Sequence, residues 1–133
     1  MNNPEQLCLC DTNIIIEFYK NNSQIIQELK YIKPSNLAIS VITKAELYFG
    51  AFNKAELEKI KRHLASILCI PVNTDVSQQF IQLMETYSLS HKLSIPDAII
   101  AATSLVHNIK LYTLNKKDFC FITGIQIYNE IIR

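Results

Sequence analysis

Short apolar runs alternate with longer amphipathic stretches along most of this chain of 133 residues. Runs rich in apolar and β-branched residues are typical of buried strands, whereas apolar positions that recur every three or four residues indicate helices. The predicted strands are residues 7–10, 37–40, 67–72 and 110–113, and a short final strand includes Ile125 and Ile127. Strands that alternate with helices predict a parallel sheet with helices on both faces.

Helix-start signals accompany several of the amphipathic stretches. Asn53 with Glu56 resembles a capping box, and so does Asp75 with Gln78. The segment Ser94–Asp97 combines a cap residue, an early proline and an early acid. The predicted helices are residues 13–19, 23–32 and 42–52, one from Asn53 to near Ser66, one after Asp75, and residues 97–106. The last helix is apolar almost all round, so we expect it to be buried against the sheet.

Composition narrows the class of protein. Hydrophobic residues make up 49% of the chain, which predicts a single domain over residues 1–133 with a substantial core. No apolar run reaches the length of a membrane span, and residues 1–5 lack the features of a secretory signal. We therefore predict a cytoplasmic protein with no membrane partner, whose four cysteines are buried reduced thiols. The formal net charge of +1 provides no long-range attraction for nucleic acid.

Four acidic residues are the candidates for chemistry. Asp11 and Glu46 follow predicted strands, Asp97 begins a predicted helix, and Asp118 lies soon after the fourth strand. Because residues just past the carboxyl ends of parallel strands line one crevice, these carboxylates are expected to meet there. Clustered carboxylates repel one another unless a cation neutralises them, and Mg²⁺ or Mn²⁺ is the hard ion that suits oxygen ligands. This arrangement points toward phosphodiester cleavage.

Each acid also has a purely structural interpretation. Asp11 could cap the helix that follows it, Asp97 could interact favourably with a helix dipole, and Asp118 could belong to a turn. Glu46 is the stronger case, because its helical neighbours predict a mostly non-polar surround in which a carboxylate needs a partner. The glutamates outside this set are interpreted as solvated helix faces or chain ends: Glu5, Glu17, Glu28, Glu56, Glu58, Glu85 and Glu130.

Polar and basic residues close to the acids could support them. Small polar side chains are candidates for orienting the carboxylates, although caps and turns would explain them equally well. These residues are Thr12, Asn13, Ser40, Thr43 and Asn115. Lys116 and Lys117 are candidates for contacting substrate phosphates beside Asp118, although many such lysines are simply solvated.

Four segments together resemble PIN-domain ribonucleases, especially the VapC-type toxins. The segments are residues 9–16 (LCDTNIII), 40–50 (SVITKAELYFG), 96–103 (PDAIIAAT) and 113–119 (TLNKKDF), in the order of the family. The resemblance implies a three-layer α/β/α sandwich with a mainly parallel sheet and an acidic pocket for Mg²⁺ or Mn²⁺. It implies that Asp11, Glu46 and Asp97 hold the metal, with Asp118 as a more variable fourth acid. Leu114 stands where many members have arginine.

The same resemblance implies an activity and partners. One or two metal ions would activate water for in-line attack on RNA, leaving a 5′-phosphate and a 3′-hydroxyl. An antitoxin protein would cover the helices that bear Ile14, Ile15, Phe18, Tyr19, Ile25 and Ile26, although these residues could instead face the core or a homodimer. Two alternatives remain open: a catalytically silent PIN-like module that binds RNA or protein, and a phosphatase or receiver-like domain that uses Asp11 as a phosphate acceptor.

Overall fold

The centre of the fold is a four-stranded sheet in which every neighbouring pair of strands is parallel. A computed structural model describes residues 7–132, and all structural statements below concern that range. The strands are β1 (Cys8–Cys10), β2 (Leu37–Ser40), β3 (Leu68–Ile70) and β4 (Lys110–Tyr112), in the spatial order β3-β2-β1-β4. Leu9 of β1 pairs with Ala38 of β2 on one side and with Leu111 of β4 on the other. The predicted parallel sheet is confirmed.

Six α-helices connect and cover these strands within the described residues. They are α1 (Thr12–Tyr19), α2 (Ser23–Ile32), α3 (Val41–Phe49), α4 (Lys54–Leu64), α5 (Thr74–Tyr87) and α6 (Ile95–His107). Short 3₁₀ turns lie at Pro34–Asn36 and Lys116–Asp118. None of these helices is long and apolar enough to cross a bilayer.

Two hydrophobic cores lie against the sheet, one on each face. Because successive strand residues point to opposite faces, Leu9 packs into one core while Cys8 and Cys10 pack into the other. The Leu9 core includes buried residues of α5 and α6, and the cysteine core includes buried residues of α1, α2 and α4. The predicted α/β/α arrangement is thereby confirmed, as is the burial of the last helix.

Helix starts follow local polar residues, with one correction. The Asn53 side chain accepts from the backbone N–H of Glu56 at 2.9 Å, as the capping box predicts, while the Glu56 carboxylate reaches the N–H of Phe52 at 3.1 Å. The predicted cap at Asp75 is wrong, because Asn73 accepts from the N–H of Val76 at 2.9 Å and α5 begins at Thr74. Because the Asn73 side chain already caps the free backbone N–H of Val76, α5 starts before Asp75, which lies inside its first turn.

The strands at the two edges of the sheet are shorter than the apolar pattern predicts. Strand β3 covers only Leu68–Ile70, since it borders a single neighbour and Leu68 is 40% exposed. The predicted final strand is reduced to one parallel bridge between Leu111 and Ile127. Hydrophobicity alone cannot distinguish a strand from an extended segment that bonds at one position.

Three burial assignments from the sequence are also wrong. All four cysteines are free thiols, but Cys120 is exposed, because Phe119 takes the buried position of that turn, and Cys69 is only half-buried. Glu28 is not on a solvated helix face. It is only 1% exposed and accepts hydrogen bonds from the Tyr128 hydroxyl and from the N–H groups of Ile131 and Ile132. These partners are about a hundred residues away in the sequence, so no local pattern could reveal them.

Candidate active site

Asp11 lies directly after β1 and is held from two sides. Its Oδ1 accepts from the backbone N–H of Thr12 at 2.7 Å, and its Oδ2 accepts from the hydroxyl of Thr113 at 2.7 Å. The side chain is 6% exposed. Asp11 therefore caps α1 and also presents a fixed carboxylate at the carboxyl edge of the sheet. The two interpretations of this residue are compatible.

Thr113 is the site residue that sequence reasoning missed. Its side chain is fully buried, and its hydroxyl oxygen also accepts from the N–H of Asn115 at 3.0 Å. Because Cys10 pairs with Tyr112 in the parallel ladder, the residues that follow them, Asp11 and Thr113, come side by side. The sequence does show that Thr113 is a polar residue directly after a predicted strand. Matching it to Asp11, however, requires the register between β1 and β4, which the sequence does not give.

Glu46 is held by a chain of hydroxyl groups that begins beside Asp11. The Thr12 Oγ1 lies 2.7 Å from Glu46 Oε1 and 2.9 Å from Thr43 Oγ1. The Thr12 hydroxyl is the donor in both contacts, and its single proton is shared between the Glu46 carboxylate, which is the stronger acceptor, and the Thr43 hydroxyl. The expected non-polar surround of Glu46 is not found, since the Phe49 side chain is 94% exposed and does not shield it. Glu46 is partly exposed and bonded to threonine instead.

Asp97 lies in the first turn of α6, where the Ser94 side chain accepts its N–H at 3.3 Å. Burial raises the pKa of Asp97 to about 6, and the negative charges of Asp11, Asp118 and Glu46 act in the same direction against the lowering effect of Ser94. Burial also raises the pKa of Asp11, with added repulsion from Glu46 and Asp118, although the bonds from Thr113 and Thr12 oppose the rise. Asp118 ends the 3₁₀ turn that follows β4.

The four carboxylates thus share one edge of the sheet and lie within electrostatic reach of one another. No lysine or arginine among residues 7–132 forms a salt bridge with any of them. All-oxygen, uncompensated negative charge is the donor set that a hard divalent cation requires. Within the same range, however, no three acid, histidine or cysteine side chains stand close enough to chelate an ion in their present rotamers. The site fits a cation in charge and ligand type, and its side chains would have to converge to hold one.

The other small polar residues have specific structural contacts. Ser40 caps α3 by accepting from the N–H of Ile42 at 3.2 Å, and Asn13 accepts from the N–H of Leu114 at 3.4 Å. Of the two lysines, Lys116 forms a salt bridge with Glu130 at 3.2 Å, and Lys117 is exposed. The Asn13 contact ties the loop after β4 to the start of α1.

Protonation of Asp97 is expected to stabilise the cation-free protein. Its pKa is about 6 in the folded state against an ordinary 3.8, so the folded state binds more protons between these values. The free energy of unfolding therefore rises as the pH falls from about 7 to about 5. Because solvent partly screens the Asp97 carboxylate, we expect the free energy of unfolding to increase by about 1 kcal/mol or less.

Denaturant unfolding of the wild-type protein and of Asp97→Asn at both pH values measures this gain. Burial lowers the pKa of His63, which costs stability as the pH falls, but this contribution is common to both proteins and cancels in the difference. An identical pH dependence of the two proteins would contradict the prediction.

A parallel sheet with helices on both faces and a group of acids at its carboxyl edge defines a class of α/β proteins with an acidic site. The sequence pattern of one such family, described as the PIN domain, matches residues 8–122. The chain therefore belongs to the PIN domain family, as the four sequence motifs predicted.

The relatives agree with this assignment. Ribonuclease VapC10 of Mycobacterium tuberculosis is 37% identical over 88 residues, a match that covers 65% of this chain and 65% of VapC10, slightly less than two thirds of its length. A toxin-antitoxin complex from Klebsiella pneumoniae contains a chain that is 34% identical with a TM-score of 0.77, over 93% of this chain and 99% of that one. VapBC-1 from nontypeable Haemophilus influenzae has 28% identity and a TM-score of 0.79, over 92% and 97% of the two chains. The predicted resemblance to VapC-type proteins is confirmed.

Proposed function

We propose that this chain is an endoribonuclease that hydrolyses RNA phosphodiester bonds with the help of Mg²⁺ or Mn²⁺, and that it is the toxin of a toxin–antitoxin pair. One observation carries the proposal: four carboxylates lie at the carboxyl edge of a PIN domain, and no lysine or arginine among residues 7–132 forms a salt bridge with them. The name of the relative VapC10, a ribonuclease, supports the same activity.

Asp11, Glu46, Asp97 and Asp118 would hold the cation. When bound, a divalent cation supplies activation of water and neutralises charge on the phosphate. The protein contributes the orientation of its carboxylates: the Thr113 hydroxyl holds Asp11, and the Thr12 hydroxyl holds Glu46. Since the pKa of Asp97 is about 6, this carboxylate is mostly ionised at pH 7 and gains a proton in mildly acidic solution.

The charge distribution indicates how RNA would be recognised. A net charge of +1 gives little long-range steering, so contact with phosphates depends on residues at the site itself. Lys117 is exposed beside Asp118 and is our candidate for a phosphate contact. Leu114 and Ile95 are exposed aliphatic residues near Thr113 and Asp97. We propose that they contact bases or sugars of a single-stranded substrate.

The apolar surface offered to an antitoxin differs from the sequence prediction. Ile14, Ile15 and Ile25 are buried in this chain's own core and cannot meet a partner. Phe49, the last residue of α3, and Phe52, in the connection to α4, are 94% and 87% exposed. Exposed aromatic side chains are typical of interfaces. We propose that this connection is part of the surface that an antitoxin covers, since the similar chain from Klebsiella pneumoniae belongs to a toxin-antitoxin complex.

Purified protein tests the activity directly. Single-stranded RNA incubated with the protein and Mg²⁺ or Mn²⁺ should yield fragments with 5′-phosphate and 3′-hydroxyl ends, and a chelator should stop the reaction. Persistent cleavage in the chelator would contradict the metal requirement. Absence of cleavage together with absence of Mn²⁺ binding by calorimetry would favour the catalytically silent PIN-like module.

A further inference from the structure

The segment of residues 126–132 runs from the edge of the sheet to the buried acid on α2. The N–H of Leu111 donates to the carbonyl of Gln126 at 2.8 Å, and the N–H of Tyr128 donates to the carbonyl of Leu111 at 2.8 Å. The Tyr128 ring then packs against the ring of Tyr112, with 5.0 Å between centroids. The segment is therefore attached to β4 before it reaches Glu28.

Glu28 binds this segment with both carboxylate oxygens. Oε1 accepts from the N–H of Ile131 at 3.0 Å and from the N–H of Ile132 at 2.8 Å, while Oε2 accepts from the Tyr128 hydroxyl. Burial and the bond to Glu28 raise the pKa of Tyr128, so the hydroxyl keeps its proton and donates. A buried carboxylate is costly unless donors compensate it, and these three donors all come from the segment.

Glu130 lies between the two attachment points and pairs with a lysine of the turn that ends at Asp118. Its Oε2 is 3.2 Å from the Nζ of Lys116, the first residue of the 3₁₀ turn that ends at Asp118. Glu28, Glu130, Lys116 and Thr113 line one cavity of about 360 Å³ beneath the segment, and Thr113 donates to Asp11 from the same region. The anchored segment and the acidic edge are therefore adjacent.

We propose that Glu28 is a positioning residue that acts on Lys116, one of the two lysines predicted to contact substrate phosphates. Glu28 docks residues 126–132, which holds Glu130 in an ion pair with Lys116 and thereby lowers the affinity of the protein for RNA. An ion pair this exposed is weak when both partners are free. Docking holds Glu130 next to Lys116. The effective concentration of the Glu130 carboxylate at this lysine is therefore high, and the carboxylate competes with a substrate phosphate for it. The proposal rests on the proposed ribonuclease function only in naming RNA as the competing anion.

Hydrogen exchange tests the docking without any reference to activity. Glu28→Gln leaves one oxygen for three donors, so the amides of Ile131 and Ile132 should exchange at least about tenfold faster, as expected for local opening. The surface variant Glu130→Gln keeps the anchor and should leave these amides protected. Tyr128→Phe removes only the hydroxyl donor and should give an intermediate rate. Unchanged protection in both Glu28→Gln and Tyr128→Phe would overturn the proposed docking.

RNA binding tests the masking of Lys116. In the Asp11→Asn background without metal, a short fluorescein-labelled single-stranded RNA of mixed sequence is titrated and its anisotropy followed. Glu130→Gln and Glu28→Gln should each tighten binding about threefold, the size expected from one exposed ion pair. Adding Lys116→Gln to either variant should remove the gain, since the effect passes through that lysine.

The two assays separate this proposal from the ribonuclease function. A gain in affinity that persists without Lys116, or no gain in Glu130→Gln, overturns the masking even where the wild-type protein cleaves RNA. If the protein neither binds nor cleaves RNA, the ribonuclease function fails and the masking fails with it, while the exchange rates still decide whether Glu28 docks the segment.

Discussion

Replacing Asp11 with asparagine is expected to reduce RNA cleavage by more than about 100-fold while leaving the fold intact. Loss of a group that only orients a metal ligand typically costs about 10- to 100-fold, so loss of a ligand should cost more. The asparagine can still accept from the N–H of Thr12, and its amide can donate to the Thr113 hydroxyl, which rotates to accept. Cleavage rates with Mg²⁺ or Mn²⁺ measure the effect.

Stability and a matched substitution complete this experiment. Because the variant removes one charge from a repelling group, we expect its free energy of unfolding to equal or slightly exceed that of the wild-type protein, by up to about 1 kcal/mol. Asp75→Asn is the control, since Asp75 is exposed in the first turn of α5 and bonds to none of the site residues. Cleavage by Asp11→Asn at the rate of this control would remove the proposed site.

Replacing Thr113 with valine is expected to lower kcat/KM for RNA by about 10- to 100-fold and the free energy of unfolding by about 1–3 kcal/mol. Valine keeps the shape but leaves the buried Oδ2 of Asp11 and the N–H of Asn115 without their shared partner. Because the Thr113 bond lowers the pKa of Asp11, its loss should also move the acidic limb of the rate profile to higher pH. Chemical denaturation and pH-dependent kinetics measure the two effects.

Two further substitutions distinguish an orienting role from a general loss of stability. Thr113→Ser keeps the hydroxyl and should restore both the rate and the pH profile. Thr103→Val removes a buried hydroxyl that bonds within α6 to the carbonyl of Ile99, so it should leave the pH profile unchanged. An unshifted profile in Thr113→Val would show that this hydroxyl does not act on Asp11.

The local elements were predictable because their determinants are local. The cap at Asn53, the early proline and acid of α6, and the apolar runs of β1 and β2 each act within a few residues. Predictions were wrong where a competing neighbour decided the outcome, as with Asn73 in place of Asp75. They were also wrong at the sheet edge, where pairing rather than hydrophobicity sets the length of a strand.

The candidate site was predictable in part. The position of Asp11 after β1 and of Asp118 after β4 follows from the rule that parallel strands end at one edge. The contacts of the site were not predictable, because they join residues that the register and the helix packing bring together. Thr113 meets Asp11 across 102 positions, and Thr12 meets Glu46 across 34.

By itself, the sequence determined the alternation of strands and helices, the family and the four acids, since periodicity, caps and motifs are properties of short segments. Only the tertiary structure decided which groups those acids contact, such as Thr113 beside Asp11 and Thr12 beside Glu46. It also decided that Glu28 is buried beneath residues 126–132, where its charge is compensated by distant donors. The energy of a buried polar group depends on partners that approach through space, and a linear pattern holds no record of them.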